Sequence, residues 1–335
     1  MKPPARPSRV VEAGSGTGLL HPVAPVTADS AAPIEIVLGV YLRALRLALG
    51  RSLTDAARSG RMSRSALSRL ERMEIPLSVR TLGSLLQSYG VEARDVQYLS
   101  QYLPPDVHGA RHLTALQRRA EGESEPGNLA RRGRWDMWVD VAGDEAVARY
   151  AAVTWAASES VQYTMSRIPP GFRTPAYQAA ITDPGRCLES DEPAEVPFWL
   201  AHATRNPFQR QVLLLDDTVL DRPVGTPEVM AEQLRHLLGL MGGRPGYRPV
   251  TIRVLPHAAP NDEAFQLAGE VGLLTVYGHW LIAGMNLAPW YEARSGYAHA
   301  VRDSLHRAVQ QADDGRRSYD LIRQAADRWA HKAAP

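Results

Sequence analysis

The stretch Ser63-Arg64-Ser65-Ala66-Leu67-Ser68-Arg69-Leu70-Glu71-Arg72 constrains this chain more than any other. On a helix, Met62, Ala66, Leu67 and Leu70 recur at helical spacing and form one apolar stripe. Arg64, Ser65, Ser68, Arg69 and Arg72 fall on the opposite side. That face carries cations and short hydroxyls and no acid. Guanidinium forks match guanine edges, and small donors match phosphates. Two readings fit the segment alone: an ordinary amphipathic surface helix, or a helix laid in the major groove of DNA.

The neighbouring residues separate the two. Leu38, Leu42, Leu45 and Leu49 make a helical stripe that Gly50 ends. Ser52 is placed to cap a short second helix holding Leu53, Ala56 and Ala57, and Ser63 to cap the third after a turn at Gly60-Arg61. Pro76 and Ser78 precede a fourth helix with Val79, Leu82, Leu85, Leu86 and Tyr89, closed by Gly90. A fifth, over 92–103, buries Val96, Leu99 and Leu103 before Pro104-Pro105 stops it. Five short helices, with the second and third crossing at small Ala57, predict a helix-turn-helix bundle over residues 34–104.

Charge follows the same division. Residues 38–103 carry ten Arg against five acids, a net of +5, whereas residues 104–335 carry 25 basic and 28 acidic residues, a net of −3. Concentrated positive charge is the footprint of nucleic-acid binding. Its weight is reduced by composition, because Lys2 and Lys332 are the only lysines and every other cation is Arg.

Residues 38–103 resemble the helix-turn-helix domain of the phage-repressor (Xre) family. The resemblance is carried by Leu42-Arg43 and Arg46 before Gly50, by Ala57, and by Ser68-Arg69-Leu70-Glu71-Arg72. It implies Arg64, Ser65 and Arg69 as base-reading residues, with Ser52 and Ser63 touching phosphates. It also implies an internal ion pair, Arg46 with Glu71, tying the first helix to the third. Three residues depart from the family pattern: Arg61 after Gly60, Leu53 where many relatives have Gln, and Met73 where Gly commonly ends the third helix. An Arg at a left-handed turn position is strained, so a one-residue shift of that turn is expected.

From about residue 135 to 330 the chain resembles the domain of unknown ligand (DUF5753-like) that follows such bundles in actinobacterial regulators. Matching stretches are Pro170-Gly171-Phe172-Arg173-Thr174-Pro175-Ala176-Tyr177, the run from Asp216 through Arg222 to Gly225, Met230-Ala231-Glu232-Gln233-Leu234, and Val254-Leu255-Pro256. The pattern of this part predicts a long helix over 144–167, strands over 211–215, 250–255, 264–271 and 273–277, a helix around Met230, Leu234, Leu237 and Leu238, and late helices over 298–312 and 319–331. The expected fold class is multidomain: an all-α bundle of five helices followed by an α+β domain (134–332) with a small, mainly antiparallel sheet. A Pro-, Ala- and Gly-rich leader (1–33) and a linker (105–133) complete the expected organisation. The linker holds a candidate helix over 112–120 and is followed closely by Arg134, the last of the run Arg131-Arg132-Gly133-Arg134.

No enzymatic chemistry is legible. Gly14-Ser15-Gly16-Thr17-Gly18 imitates the glycine-rich loop of S-adenosylmethionine-dependent methyltransferases, but Pro22, Pro25 and Pro33 follow where a helix is required, so a methyltransferase is a remote alternative. His202, His236, His257 and His279 lack metal spacing, and no GxSxG elbow or phosphate loop occurs. Asp216-Asp217 reads as a strand-end turn rather than a carboxylate pair, because adjacent strand residues face opposite ways. Trp280, Trp290 and Tyr277 crowd one region as a candidate ligand pocket, against the plainer reading of a core. With Cys187 as the only cysteine, an intrachain disulfide and Cys-rich zinc sites are excluded. No cofactor, metal or membrane is expected, and the chain reads as cytoplasmic.

The function expected from these residues is a sequence-specific transcriptional regulator, a homodimer on operator DNA, whose C-terminal domain senses a small protein partner or small-molecule effector. The alternative is an antitoxin-like adaptor that chiefly holds a small partner protein, with autoregulatory DNA contact.

Overall fold

The computed structural model describes residues 31–103, 136–182, 208–243, 248–256, 269–285 and 288–334. Nearly all of the expected leader, the linker at 105–133 with its candidate helix, the cluster Arg131 to Arg134, His202, His257 and most of the expected 264–271 strand lie outside the described residues.

The bundle consists of α1 (Pro33–Ala48), α2 (Leu53–Ser59), α3 (Arg64–Glu71), α4 (Val79–Ser88) and α5 (Ala93–Ser100). Serine side chains start three of them. The Ser52, Ser63 and Ser78 hydroxyls accept the N–H groups of Asp55, Ala66 and Thr81 at 3.1, 3.0 and 3.1 Å. Each cap satisfies a donor that the helix leaves open, worth about 1 kcal/mol. The inward stripes are Leu38 and Leu42 of α1, Leu67 and Leu70 of α3, and Leu82, Leu85 and Leu86 of α4. α1 begins earlier than its leucine stripe suggests, at Pro33, with Ala32 fully buried.

The rest of the chain is α+β. Its elements are β1 (Met137–Val139), α6 (Asp144–Ala156), β2 (Glu159–Thr164), α7 (Pro175–Thr182), β3 (Arg210–Asp216), α8 (Thr218–Asp221), α9 (Pro227–Met241), β4 (Thr251–Leu255), β5 (Val271–Val276), β6 (His279–Met285), β7 (Pro289–Glu292), α10 (Gly296–Gln311) and α11 (Gly315–Ala333). The sheet is not the small, mainly antiparallel one expected. Among the described residues it has seven strands in the order β1-β7-β6-β5-β2-β3-β4 and is mixed, with β2, β3 and β4 parallel and the remaining pairs antiparallel. The cause lies in β3. Its run Gln211-Val212-Leu213-Leu214-Leu215 is buried on both faces, as parallel strands flanked by helical crossovers are.

The long helix expected over 144–167 is also corrected. The chain leaves α6 at Ala156 and enters β2, where Val161 and Tyr163 face one side and Ser160 and Thr164 the other. Pairing with β3 and β5 on both sides overrides local helix preference there.

One sheet face is covered by α10, over Tyr163, Leu214, Trp280 and Ile282. On the opposite face, α9 and α11 cover Leu213, Leu215, Ile252 and Val254. The other half of that face has a different cover. Leu274, Val276, Leu281, Ala283 and Tyr291 share one core with Leu38, Leu42, Leu67 and Leu99 of the helix bundle. α1 is therefore buried almost all round, with Ile34, Ile36, Val37, Leu38, Val40, Tyr41 and Leu42 each at 5% exposure or less.

A polar clamp borders this shared core. Arg149 of α6 forks onto Asp140 at 2.7 and 2.9 Å, with the two side chains 1% and 0% exposed. From the bundle, the Tyr98 hydroxyl donates to Asp140 at 3.1 Å and accepts the Val141 N–H at 2.9 Å. The Tyr41 hydroxyl donates to Glu145 at 2.7 Å, and the Arg149 guanidinium lies 5.3 Å from the Tyr41 ring centre. Burial, then the Glu145 hydrogen bond, raises the pKa of Tyr41 well above the ordinary phenol value, so this donor is kept. Removing one ion of a buried pair strands the other. Arg149→Met is expected to destabilise the chain by about 3–5 kcal/mol, and Tyr98→Phe by about 1–2 kcal/mol, in urea unfolding followed by circular dichroism.

Candidate nucleic-acid interface

α3 presents the surface that the sequence assigns to DNA. Leu67, Leu70 and Glu71 are buried, Met62 and Ala66 are half-buried, and Arg64, Ser65 and Arg69 are exposed. Ser68 and Arg72 are half-buried on the flanks, and Ser52 and Ser63 are exposed at the starts of α2 and α3. The surface is not free of acid, however. Glu74, just past α3, lies 2.7 Å from Arg72 Nε and 3.7 Å from Arg69 Nε. Attention to the helix face alone misses it, because the residue belongs to the loop that folds back. Arg64 has no acidic partner among the described residues, which leaves it the least encumbered cation on the helix.

The two capping serines differ in what they can still offer. Ser52 donates its hydroxyl proton to Asp55 Oδ2 at 2.6 Å while accepting the Asp55 N–H. Ser63 accepts the Ala66 N–H, and its own proton has no protein acceptor among the described residues. Ser63 is therefore the better phosphate donor of the pair.

Beneath the surface, Arg46 reaches from α1 to Glu71. Its Nε and Nη2 donate to the two carboxylate oxygens at 2.6 and 2.9 Å, and Nη1 donates to the Arg51 carbonyl at 3.1 Å. The side chains are 6% and 1% exposed. The Glu71 hydrogen bond raises the Arg46 pKa further above its usual value, so the guanidinium stays charged. This pair fixes the angle of α3 against α1 and takes Arg46 away from any ligand.

The turn between α2 and α3 does not shift. Arg61 itself takes the left-handed conformation, at φ 51°, as does Met73 after α3, at φ 56°. Gly60 instead has φ −80°, and its role is space: a Cβ there would lie 2.7 Å from Leu85 Cδ2. Gly39 of α1 similarly makes room for the Met73 side chain.

The far end of α3 meets the sheet. Tyr277-Gly278, both at positive φ, form the tight turn between β5 and β6. The Arg43 guanidinium lies 5.7 Å from the Tyr277 ring centre, and the His279 imidazole hydrogen-bonds the Arg72 backbone. Burial lowers the His279 pKa, which favours the neutral ring beside α3.

The candidate ligand pocket from Trp280, Trp290 and Tyr277 is not assembled. Trp280 and Trp290 pack on the α10 side of the sheet, while Tyr277 packs against the helix bundle on the other. Trp280 is 2% exposed, edge-on to His299 and under the Arg302 guanidinium. Strand alternation separates residues that are close in sequence. No group of His, Cys, Asp or Glu among the described residues is arranged to hold a metal, and no described helix is long and apolar enough to cross a membrane.

A capped α2, a tight turn and an α3 exposing Arg64, Ser65 and Arg69 define the helix-turn-helix class of DNA-binding fold. A profile described as "Helix-turn-helix domain" matches residues 37–99. A second, described as "Domain of unknown function (DUF5753)", matches residues 147–324, more than half of the chain, and the chain belongs to that family. No curated protein and no solved structure matches the chain.

Two substitutions separate strain from packing at the turn. Arg61→Gly relieves a left-handed side-chain clash and is expected to stabilise by about 0.5–1 kcal/mol. Gly60→Ala forces a methyl into Leu85 and is expected to cost about 1–3 kcal/mol. Both are read as the urea midpoint at constant slope.

Proposed function

We propose that the chain is a sequence-specific regulator of transcription, of the phage-repressor (Xre) type, that binds operator DNA through α3. The observation that carries this reading is the solvent-facing set Arg64, Ser65 and Arg69 on a helix whose opposite side is locked by Leu67, Leu70 and the Arg46–Glu71 pair. A cationic face on a rigid, capped helix is what direct readout of base edges needs. Arg64 and Arg69 read bases, Ser65 and Ser68 add short hydrogen bonds, and Ser63, Ser52 and Arg72 contact the phosphates. Arg69 and Arg72 exchange their contact with Glu74 for the DNA.

One bundle spans too few base pairs for genomic specificity. The regulator therefore acts as a homodimer on a near-palindromic site whose half-sites are about 34 Å apart. The α+β part, sharing its core with the bundle, is the sensing element for a small partner protein or small molecule. The protein works in the cytoplasm without a cofactor and is not an enzyme.

Electrophoretic mobility shift on the DNA upstream of its own gene, together with randomised-site selection, tests this reading. Arg64→Ala and Arg69→Ala are each expected to weaken binding by about 1–3 kcal/mol and to relax preference at one or two positions, with the circular dichroism spectrum unchanged. Affinity of the unaltered chain is expected to fall linearly on a log–log plot against salt, through release of condensed counterions. Unchanged binding in both variants, or a flat salt response, rejects the groove assignment.

A further inference from the structure

The carboxyl ends of the parallel strands carry a second site, away from α3. A cavity of about 800 Å³, open to solvent on one side, lies beyond the ends of β3 and β4. This is where open α/β sheets leave a crevice between strand ends and the following helices. Its size is in the range of small-molecule sites. The two segments that flank it, the run from Asp217 to Arg222 and Val254 to Pro256, fall within two of the four stretches through which the α+β part resembles its family. The third wall is α11 and the residue leading into it, with Asp313, Arg317, Leu321 and Arg328.

These walls are held by backbone. The Asp217 N–H donates to the Leu255 carbonyl at 3.1 Å, and the Asp313 N–H donates to the Val254 carbonyl at 2.9 Å. The Trp329 indole donates to the Leu220 carbonyl at 2.8 Å, and the Val254 N–H donates to Ser318 Oγ at 3.0 Å. The cavity is thus a preformed gap between fixed elements, which lowers the ordering cost of a ligand.

The lining has two chemistries. Leu220 and Val254 are buried at 4% and 0% exposure and, with half-buried Leu321 and Pro256, make an apolar floor. Around it stand three guanidiniums. Arg328 is engaged with Asp221 at 2.8 Å. Among the described residues, Arg222 and Arg317 form no ion pair, and both are exposed at the rim. Asp217 and Asp313 share the same lining and repel a ligand of high negative charge.

We propose that this cavity binds an organic acid, with its apolar body on Leu220, Val254 and Leu321 and a single anionic head, carboxylate or phosphate monoester, between Arg222 and Arg317. Guanidinium forks suit both heads, and the apolar floor distinguishes such a ligand from a free inorganic anion. The site stands apart from α3, so it does not rest on the DNA reading.

Titration calorimetry on the full chain without DNA tests the proposal, with octanoate, octyl phosphate and inorganic phosphate as probes. At least one alkyl probe is expected to bind saturably at one site per chain, and more tightly than inorganic phosphate. The stronger of the two identifies the head group. Arg222→Gln/Arg317→Gln is expected to weaken that binding about tenfold or more, and Arg328→Gln, whose cation is already paired, to leave it within about twofold. All these side chains are exposed, and matching circular dichroism spectra confirm folding. The proposal is overturned if neither alkyl probe saturates, if inorganic phosphate binds equally well, if the double variant binds as the parent does, or if Arg328→Gln loses as much as the double variant.

Discussion

The arrangement depends on α1 being buried from two sides. A helix in a small bundle normally turns one stripe inward and leaves the rest wet. Here Leu38, Leu42 and Arg46 serve the bundle and α3, while Tyr41 and its neighbours lie against α6 and the strands β1 and β7. Neither side is dry without the other. Burying seven large apolar residues on one helix gains more than the stripe of Leu38, Leu42, Leu45 and Leu49 would alone, and Leu49, the last of that stripe, is in fact 48% exposed.

Polar groups in that contact are placed so that none of the charged ones is stranded. Asp140 receives both forks of Arg149 and the Tyr98 hydroxyl, and Glu71 receives two N–H groups of Arg46. The two buried ion pairs act at different levels. Arg46–Glu71 orients α3 within the bundle, whereas Asp140–Arg149 orients the bundle on the sheet. Net stabilisation from such pairs is small compared with the cost of breaking one, so they specify geometry more than they strengthen it. Tyr291, stacked on Trp138, closes the same region, and its hydroxyl has no hydrogen-bond partner among the described residues.

The bundle was legible because its signals are local. Serine caps, Gly50 and Gly90 after helices, Pro76 before Ser78 and a 3.6-residue stripe each act within one turn, and Ser63 to Arg72 needed no distant partner to be placed. The sheet was less legible for the opposite reason. β2 follows closely on a helix and its polar–apolar alternation, Ser160 to Thr164, is only five residues long, so its identity comes from β3 and β5 far along the chain. β6 and β7 carry aromatic residues close in sequence that suggested a cluster, and the pleat sends Trp280 and Tyr291 to opposite faces. At the DNA-facing surface the residue types were readable, but Glu74 and the His279 contact with Arg72 depend on how loops return, which no helical pattern encodes.

The shared core also bears on how portable the DNA-reading unit is. Helix-turn-helix heads are commonly treated as cassettes that can be cut out or fused to other modules. In this chain, excision after Leu103 would expose Val37, Val40 and Tyr41 to water and leave Tyr98 without Asp140. A transplanted head would carry a sticky, half-uncovered helix, prone to self-association. Recombination between members of such a family is then constrained to exchange the head together with the strands that cover it. The helix-turn-helix head and the α+β part are inherited as one piece.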